Sequence, residues 1–375
     1  MSSDGLNMSR RIRRTPYTDK VEAAGVRGFS VVNHMLLPKA FQKSVAEDYW
    51  HLSEHVQIWD VSVQRQVEIK GKDATRLVQW MTSRDISNAT VGQCLYVPLV
   101  DENGGMINDP VLLKLEDDRY WLSIADSDVL LWAKGLALGA GMDVEIDEPD
   151  VSPLAVQGPK AEDLMAKVFG EEIRQVKFFR YERFDFKGTS QVIARSGYSK
   201  QGGFEIYLDD SALGHDLWDT IWDAGQSFNI SPGCPNLIER IEGGLFSYGN
   251  EMTRQNNPLE CGMDDYVVLD GSIDFIGLTA LRKIQAKGIT KKIRAIIFDG
   301  EPCPTCSKSW PVMAGDNRDI KIGDVTSGIY SPRLKKNIGL SMIDRDYWNP
   351  GQKVTVLCSD SLVRDGLIST FPLVF

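Results

Sequence analysis

The sequence is poor in the residues that build disulfide frameworks and metal sites. It has six cysteines and four histidines in 375 residues, and a chain of this length can bury a core that needs no cross-links. The one close cysteine pair, Cys303 and Cys306, has the spacing of a redox motif or half a zinc site, but no second pair lies beside it. His51 and His55 lack the glutamate of a zinc-protease helix. We expect reduced thiols and no metal.

Long apolar runs and an excess of positive charge are also lacking. No segment approaches the ~20 consecutive apolar residues that span a bilayer. The basic start, RRIRR at 10–14, has no apolar signal core, and Asp4 and Asp19 argue against the alternative of an organelle-targeting segment. The net charge of −10 repels a phosphate backbone. We therefore expect a cytoplasmic protein with neither a membrane nor a nucleic-acid partner.

A glycine-rich dinucleotide fingerprint following a strand is missing from the sequence. This absence excludes a fused flavin oxidase domain, although it leaves a separate flavin partner open.

The periodicities that are present indicate a mixed α+β chain of two or three domains. Apolar residues at helical spacing predict a helix over 40–56, and Asp73 is placed to cap the next helix. Further helices are predicted at 128–138, 159–170, 211–225 and 235–248, and strands at 64–70, 94–100, 119–125, 142–147, 153–158, 182–188, 189–197 and 204–208. Residues 283–291 are interpreted as a linker. The short β-like runs after it predict a C-terminal β-barrel.

A glycine turn marks the first candidate site. The DENGG turn at 101–105 lies between two apolar runs and predicts a hairpin, which places Tyr96 and Asp109 on neighbouring strands. Asp109 is interpreted as part of the apolar strand MINDPV, where an ionised carboxylate is costly unless it is paired or takes part in chemistry. The alternative is a carboxylate bonded to turn amides.

A second candidate site lies on the predicted strand at 204–208. Glu205 and Tyr207 are two residues apart and share one face. A carboxylate beside an aromatic ring suits a ligand with N–H donors and a flat or cationic group. The alternative is an ordinary pair on the protein surface.

A third candidate is Arg240, in a predicted helix that also holds Glu242, Gly243 and Gly244. Glycine weakens a helix, so two in succession indicate close approach of another chain segment. Helix geometry puts Arg240 and Glu242 on different faces. The alternative is an exposed pair of charges.

Six strings in the sequence together resemble the glycine-cleavage T-protein (aminomethyltransferase) family. They are WDVSVQRQVEIKGKDA (59–74), DENGGMINDPV (101–111), ARSGYSKQGGFEIYL (194–208), ERIEGGLFSYGNEM (239–252), FIGLTALRK (275–283) and TSGIYSPRLKKNIGL (326–340). The resemblance implies a three-domain α+β cloverleaf around a folate hole. Two interleaved mixed domains would fill residues 1–285, roughly 1–55 with 150–230 and 56–149 with 231–285, and a β-barrel would fill 286–375.

The resemblance also implies roles for the candidate residues. Asp109 would lie near the reacting nitrogen of tetrahydrofolate, while Glu205 and Arg240 would hold the pterin and neighbouring folate groups, with Tyr96 lining the pterin. Lys200, Lys335 and Lys336 could supply positive charge for the anionic glutamate tail.

Two departures from the family pattern put the glycyl-aminomethyl carrier chemistry in doubt. The chain has Asn108-Asp109 where the family has two aspartates, and Val63-Gln64 where it has His-Met. Other strings resemble the dimethylsulfoniopropionate demethylases of marine bacteria. They are SRRIRRTPYT (9–18), VVNHMLLP (31–38), EHVQIWDVSVQRQ (54–66) and SIADSDVLLW (123–132).

The demethylase resemblance implies methyl transfer from a sulfonium sulfur to N5 of tetrahydrofolate, without metal or flavin. The products would be 3-(methylthio)propionate and 5-methyltetrahydrofolate. Tyr207 would face the sulfonium and Ser123 would bind the propionate carboxylate, with Trp121 on the same strand face as Ser123, although a tryptophan there is more often simply a core residue.

Three alternatives stay open at this point. They are an aminomethyltransferase with a lipoyl carrier, a dimethylglycine-type demethylating partner, and a non-catalytic folate-binding assembly factor. The sequence also leaves a homodimer open.

Overall fold

The structure, a computed structural model, describes Ser9, residues 11–315 and residues 317–373. Arg10 of the predicted basic start and the last two residues of the chain lie outside this range. Two compact units divide the chain. Unit 1 comprises the residues up to 66 with 148–197 and 201–235, and unit 2 comprises 67–147, 198–200 and the residues from 236 onward. Residues 56–66, which we assigned to the second predicted domain, belong to unit 1. The division into three domains stays a prediction.

Strands and helices alternate irregularly, as expected for an α+β chain. The strands are β1 (Gly28–Val32), β2 (Met35–Ala40), β3 (Val56–Asp60), β4 (Gln66–Lys70), β5 (Cys94–Tyr96), β6 (Leu99–Val100), β7 (Met106–Asn108), β8 (Val111–Glu116), β9 (Arg119–Ser123), β10 (Glu145–Asp147), β11 (Val151–Gln157), β12 (Tyr181–Phe186), β13 (Thr189–Ala194), β14 (Gly203–Asp209), β15 (Ile230–Pro232), β16 (Lys291–Phe298), β17 (Trp310–Ala314), β18 (Lys321–Ser331), β19 (Lys336–Asp344), β20 (Lys353–Leu357) and β21 (Val363–Ser369). The α-helices are α1 (Thr18–Ala23), α2 (Val45–Glu54), α3 (Ala74–Met81), α4 (Val129–Ala140), α5 (Ala161–Phe169), α6 (Gly214–Gly225), α7 (Leu237–Gly243) and α8 (Leu278–Lys287).

Unit 1 is built on a six-stranded sheet in the order β12-β13-β14-β11-β3-β15. The pairs are antiparallel except that β15 runs parallel to β3. One face of the sheet packs against α1, α5 and α6 and forms the main core, with Ile206 of β14 and Leu217 of α6 both fully buried in it. The opposite face carries Trp59, Ala155 and Glu205, because side chains alternate along each strand.

Unit 2 contains a five-stranded sheet in the order β10-β4-β9-β8-β5. Helices α3 and α4 cover one face, where Leu77, Leu112 and Leu122 are fully buried. Tyr96 and Ser123 occupy the other face, because each is in register with Val111 on the strand between them.

The C-terminal strands of unit 2 close into a barrel in the order β16-β19-β18-β17-β20-β21. Phe298, Val312, Val325 and Val356 fill its core and are fully buried. The predicted C-terminal barrel is therefore confirmed.

Four local predictions need correction. The predicted strand at 94–100 is broken at Pro98, which has no N–H for the ladder, so β5 and β6 pair with different partners. Helix α3 begins after Asp73, but the Asp73 carboxylate accepts from the Asp143 amide at 2.9 Å and does not cap the helix. The helix predicted over 235–248 ends at Gly243, because Gly244 takes a left-handed φ of 65°. The predicted linker from 283 is helical as far as Lys287.

No helix in the described part of the chain is long and apolar enough to cross a membrane.

Candidate active site

Asp109 lies between β7 and β8 and not inside a strand, which corrects the sequence prediction. Its Oδ2 accepts a hydrogen bond from the Tyr96 hydroxyl at 2.6 Å. Its Oδ1 is buried and has no hydrogen-bond partner among the described residues. Burial raises the pKa of Asp109 to about 7, and the Glu251 carboxylate adds to this rise, while the hydrogen bond from Tyr96 opposes it. Asp109 therefore gains and loses a proton near neutral pH.

The neighbouring Asn108 fixes the backbone that carries Asp109. Its amide nitrogen donates to the Ala125 carbonyl at 3.1 Å and to the Ser127 hydroxyl at 2.8 Å. Its amide oxygen accepts from the Ala125 amide and from the Asp109 amide, both at 3.0 Å. An aspartate could not make the first two bonds as a carboxylate, because it has no donor.

The predicted hairpin before Asp109 is confirmed. Asp101 closes the turn with two backbone hydrogen bonds, to Gly105 and from Gly104, each 2.9 Å long. Its side-chain Oδ1 accepts from the amides of Asn103 and Gly105 at 2.9 and 2.8 Å. Gly104 has a φ of 80°, which a glycine adopts without strain. The turn pairs β6 with β7 and so brings the chain back to Asp109.

Two further tyrosines belong to the electrostatic surroundings of Asp109, and the sequence reasoning did not select them. The Tyr248 hydroxyl donates to the Met106 carbonyl at 3.0 Å, and the Tyr198 hydroxyl donates to the Phe246 carbonyl. Burial raises the pKa of both phenols, and the Asp109 carboxylate contributes to the rise in each. Both tyrosines lie within strings that carry the family resemblance, which is the signal that could have found them.

Arg240 is buried and paired, so the alternative of an exposed charge pair with Glu242 is wrong. Its guanidinium donates to the Glu251 carboxylate at 2.6 Å, to the Ser327 hydroxyl on barrel strand β18 and to the Leu245 carbonyl at 3.2 Å. Burial lowers the pKa of Arg240, but Glu251 and Tyr198 together outweigh this effect and the net shift is upward. Glu242 instead accepts from Ser331 at 2.5 Å.

The close approach predicted at the two glycines of α7 is present. A Cβ on Gly243 would lie 2.6 Å from the Lys200 side chain, and one on Gly244 would lie 2.8 Å from the side chain of Phe371. Phe371 also meets Phe246 edge to face, with 5.5 Å between the ring centroids. The C-terminal segment therefore packs directly on the end of α7, next to Arg240.

Ser123 and Trp121 share one face of β9, as predicted, and both are buried. The indole N–H of Trp121 donates to the Glu68 carboxylate at 2.8 Å, and Arg119 also pairs with Glu68, at 2.7 Å. These bonds hold the ring against β4. The substrate-binding roles of Trp121 and Ser123 stay predictions.

In unit 1, Glu205 lies on the sheet face opposite the main core. Its neighbours across the sheet are Ala155 and Ala194, both of which have small side chains. Burial raises the pKa of Glu205, while hydrogen bonds from Ser196 and Gln64 oppose the rise. The interpretation of Glu205 and Tyr207 as an exposed surface pair is wrong, since Glu205 is 5% exposed and Tyr207 is fully buried.

Other predicted residues have local partners. Lys336 forms an ion pair with Asp299. Cys303 and Cys358 are buried in the barrel core, with Cys306 packed against it, and burial raises the pKa of Cys303 and Cys306 to about 12, so both stay thiols at neutral pH. Among the described residues, no group of three or more potential metal ligands is gathered at one place.

Comparisons with known proteins define the class. The model of the GCVT N-terminal domain matches residues 17–271, and that of the glycine cleavage T-protein C-terminal barrel domain matches residues 291–369. The chain belongs to the glycine cleavage T-protein family. Its fold superposes on the aminomethyltransferase T of the glycine cleavage system from Bartonella henselae with a TM-score of 0.86, at 21% identity, covering 97% of this chain and 98% of that one. The predicted T-protein fold class is confirmed.

Within the family, the chain is similar to two kinds of enzyme. It is 51% identical over 362 residues to the dimethylsulfoniopropionate demethylase DmdA of Ruegeria pomeroyi, covering 96% of this chain and 98% of that protein. It is 34% identical over 342 residues to an aminomethyltransferase of Alkaliphilus metalliredigens, covering 89% and 90%. The resemblance stated from the sequence is confirmed.

Proposed function

We propose that this protein catalyses the tetrahydrofolate-dependent demethylation of dimethylsulfoniopropionate. A methyl group passes from the sulfonium sulfur to N5 of tetrahydrofolate, giving 3-(methylthio)propionate and 5-methyltetrahydrofolate. The 51% identity over nearly the whole chain to a demethylase, against 34% to an aminomethyltransferase, supports this donor. The observation that supports the chemistry is the state of the Asp109 carboxylate. One oxygen accepts a hydrogen bond from Tyr96, and the other is buried without a hydrogen-bond partner among the described residues.

Asp109 is suited to the charge changes of this reaction. Because N5 carries a hydrogen in tetrahydrofolate, methylation leaves that nitrogen positive until it loses a proton. A buried carboxylate stabilises such a charge strongly and can accept the proton. With a pKa raised to about 7, Asp109 can both take up this proton and release it to solvent at neutral pH. The unpartnered Oδ1 is the oxygen free to do so.

The methyl transfer itself depends mainly on the positioning of the two reactants. A sulfonium is an activated methyl donor, so holding sulfur, carbon and nitrogen in line can contribute ~7–11 kcal/mol. The Asp109 amide donates to Asn108 and the Tyr96 hydroxyl donates to the Asp109 carboxylate, so the backbone and the carboxylate are both held and little reorganisation is left for the reaction.

The binding roles of the other residues belong to this proposal. Glu205 is assigned to the pterin because it offers a carboxylate beside two alanines. Arg240 supports the site from within its ion pair with Glu251. Tyr207 is assigned to the sulfonium, although its full burial means that its ring must become accessible before it can contact a ligand.

A comparison of donors tests the proposal. Purified protein is incubated anaerobically with tetrahydrofolate and either dimethylsulfoniopropionate or an aminomethylated lipoyl carrier, and the folate products are identified by mass spectrometry. We expect 5-methyltetrahydrofolate and methylthiopropionate in equal amounts from the sulfonium alone. Production of 5,10-methylenetetrahydrofolate from the carrier would assign the aminomethyltransferase reaction instead. Tight folate binding with neither product would favour an assembly factor.

A further inference from the structure

Arg84 contacts two tyrosines close to Asp109. Its guanidinium donates to the backbone carbonyl of Tyr96 at 2.8 Å. The same group lies over the ring of Tyr266, with 4.8 Å between the guanidinium carbon and the ring centroid, which is the geometry of a cation–π contact. Burial lowers the pKa of Arg84, and Tyr266 opposes this fall. The Arg84 guanidinium therefore contacts both Tyr96 and Tyr266.

The two tyrosines also contact each other. The rings of Tyr96 and Tyr266 meet edge to face, with 5.5 Å between centroids and 76° between planes. The backbone of Tyr266 is tied to Ser83, whose hydroxyl donates to the Tyr266 carbonyl at 3.0 Å and whose carbonyl accepts from the Val268 amide at 3.0 Å. Ser83 thus holds the backbone beside Tyr266, and the side chain of Arg84 holds the backbone of Tyr96.

We propose that Arg84 and Tyr266 are positioning residues, which together hold the Tyr96 hydroxyl against the Asp109 carboxylate. Arg84 holds the Tyr96 backbone, and Tyr266 limits the directions in which the Tyr96 ring can turn. The resulting bond, from the Tyr96 hydroxyl to Asp109 Oδ2, is 2.6 Å long. Neither Arg84 nor Tyr266 is assigned a contact with substrate. Only the kinetic consequence of this role rests on the proposed function.

The role has a measurable effect on Asp109. The hydrogen bond from Tyr96 stabilises the ionised carboxylate and opposes the effect of burial. If the Tyr96 ring loses its support, the carboxylate holds its proton more tightly, and the pKa of Asp109 rises. A charge-assisted bond of this kind corresponds to about one pH unit. A residue that only supports the fold would change the melting temperature and leave this pKa unchanged.

The test is a carbon-13 NMR titration of protein labelled at the aspartate carboxyl carbons. The resonance that titrates near pH 7 and is missing in Asp109→Asn belongs to Asp109. We expect its midpoint to rise by about one pH unit in Arg84→Met and in Tyr266→Leu. Tyr266→Phe keeps the ring and is expected to titrate like the wild type. Arg76→Met, which removes the same charge at an exposed position of α3, is the matched control.

A double-mutant comparison separates positioning from simple charge. In a Tyr96→Phe background, Arg84→Met should add no further shift, because both variants remove the same bond. An equal shift in both backgrounds would mean that the Arg84 charge acts directly on Asp109 and would overturn the proposal. An unchanged midpoint in both Arg84→Met and Tyr266→Leu would also overturn it.

The kinetic arm distinguishes this proposal from the proposed function. Where the wild type forms 5-methyltetrahydrofolate, the acid limb of its pH–rate profile should move upward in Arg84→Met by the same amount as the NMR midpoint. A wild type that forms no product from the sulfonium would count against the proposed function alone, since the titration reads Asp109 without turnover.

Discussion

At the scale of single residues, the proposed chemistry depends on how Asp109 is held. Asn108 fixes its backbone, Tyr96 donates to one carboxylate oxygen, and the other oxygen is buried without a partner in the described part of the chain. The sequence identified Asp109 and Tyr96 and predicted that a hairpin links them. It could not reveal the open oxygen or the raised pKa, since both arise from burial by segments distant in the sequence.

Asp109 is expected to make stability fall as pH rises. Its folded-state pKa is about 7, above the ordinary aspartate value of 3.8. Between these values the folded protein holds a proton that the unfolded chain has released, so the stability present at low pH is lost as pH rises through 7. Asp109→Asn removes the free-energy cost of burying an ionised carboxylate. It should be more stable than the wild type at pH 8 by on the order of 2 kcal/mol, with a smaller advantage at pH 5.

Urea unfolding at the two pH values measures this difference. Asp117→Asn is the control, because the side chain of Asp117 is almost fully exposed. An advantage of Asp109→Asn that is equal at pH 5 and pH 8 would argue against the raised pKa.

Glu251 should contribute far more to stability than an exposed acid. Its side chain is fully buried against Arg240, whereas Asp365 pairs with Arg318 at the surface. Glu251→Gln leaves the Arg240 charge buried without its counter-ion and should cost ~3–5 kcal/mol. Asp365→Asn should cost at most ~1 kcal/mol. Melting temperatures compare the two variants, and similar losses would show that the Arg240 pair is effectively solvated.

At the scale of elements, the sequence located most helices and strands but misplaced several ends. The helix predicted over 40–56 is α2, which starts at a capping box formed by Ser44 and Glu47. The helix predicted to end at 248 stops at Gly243. A glycine pair is compatible with a weakened helix or with a helix end, and the left-handed φ of Gly244 in the structure makes it a helix end. Local periodicity contains no information about that backbone angle.

Two glycines that end helices provide a matched test of the packing of Phe371 on Gly244. Gly141 follows α4 with a φ of 61° and Gly244 follows α7 with a φ of 65°, so alanine suffers similar backbone strain at both, ~1–2 kcal/mol. An added Cβ meets nothing within 4 Å at Gly141 but lies 2.8 Å from Phe371 at Gly244. Gly244→Ala should therefore lower the melting temperature more than Gly141→Ala. Equal losses would mean that the C-terminal segment does not press on α7.

At the scale of the whole molecule, family resemblance was more informative than composition. Periodicity alone gave a mixed α+β chain with a terminal barrel. The six strings indicated the T-protein family, which the matches to its two domain models confirm. The structure gives a role to two residues that depart from the family pattern. Asn108 orients Asp109, and Gln64 forms a hydrogen bond with Glu205. The choice of methyl donor rests on similarity across the entire chain and cannot be derived from any one residue.

In the proposed reaction, the methyl group passes directly from the sulfonium to folate at the site of Asp109. The most direct measurement uses dimethylsulfoniopropionate with fully deuterated methyl groups, tetrahydrofolate and purified protein under anaerobic conditions, with mass analysis of the folate product. We expect 5-methyltetrahydrofolate heavier by three mass units, formed in equal amount with methylthiopropionate, and a rate strongly reduced in Asp109→Asn. An unlabelled folate product, or unchanged turnover in Asp109→Asn, would contradict the proposed reaction.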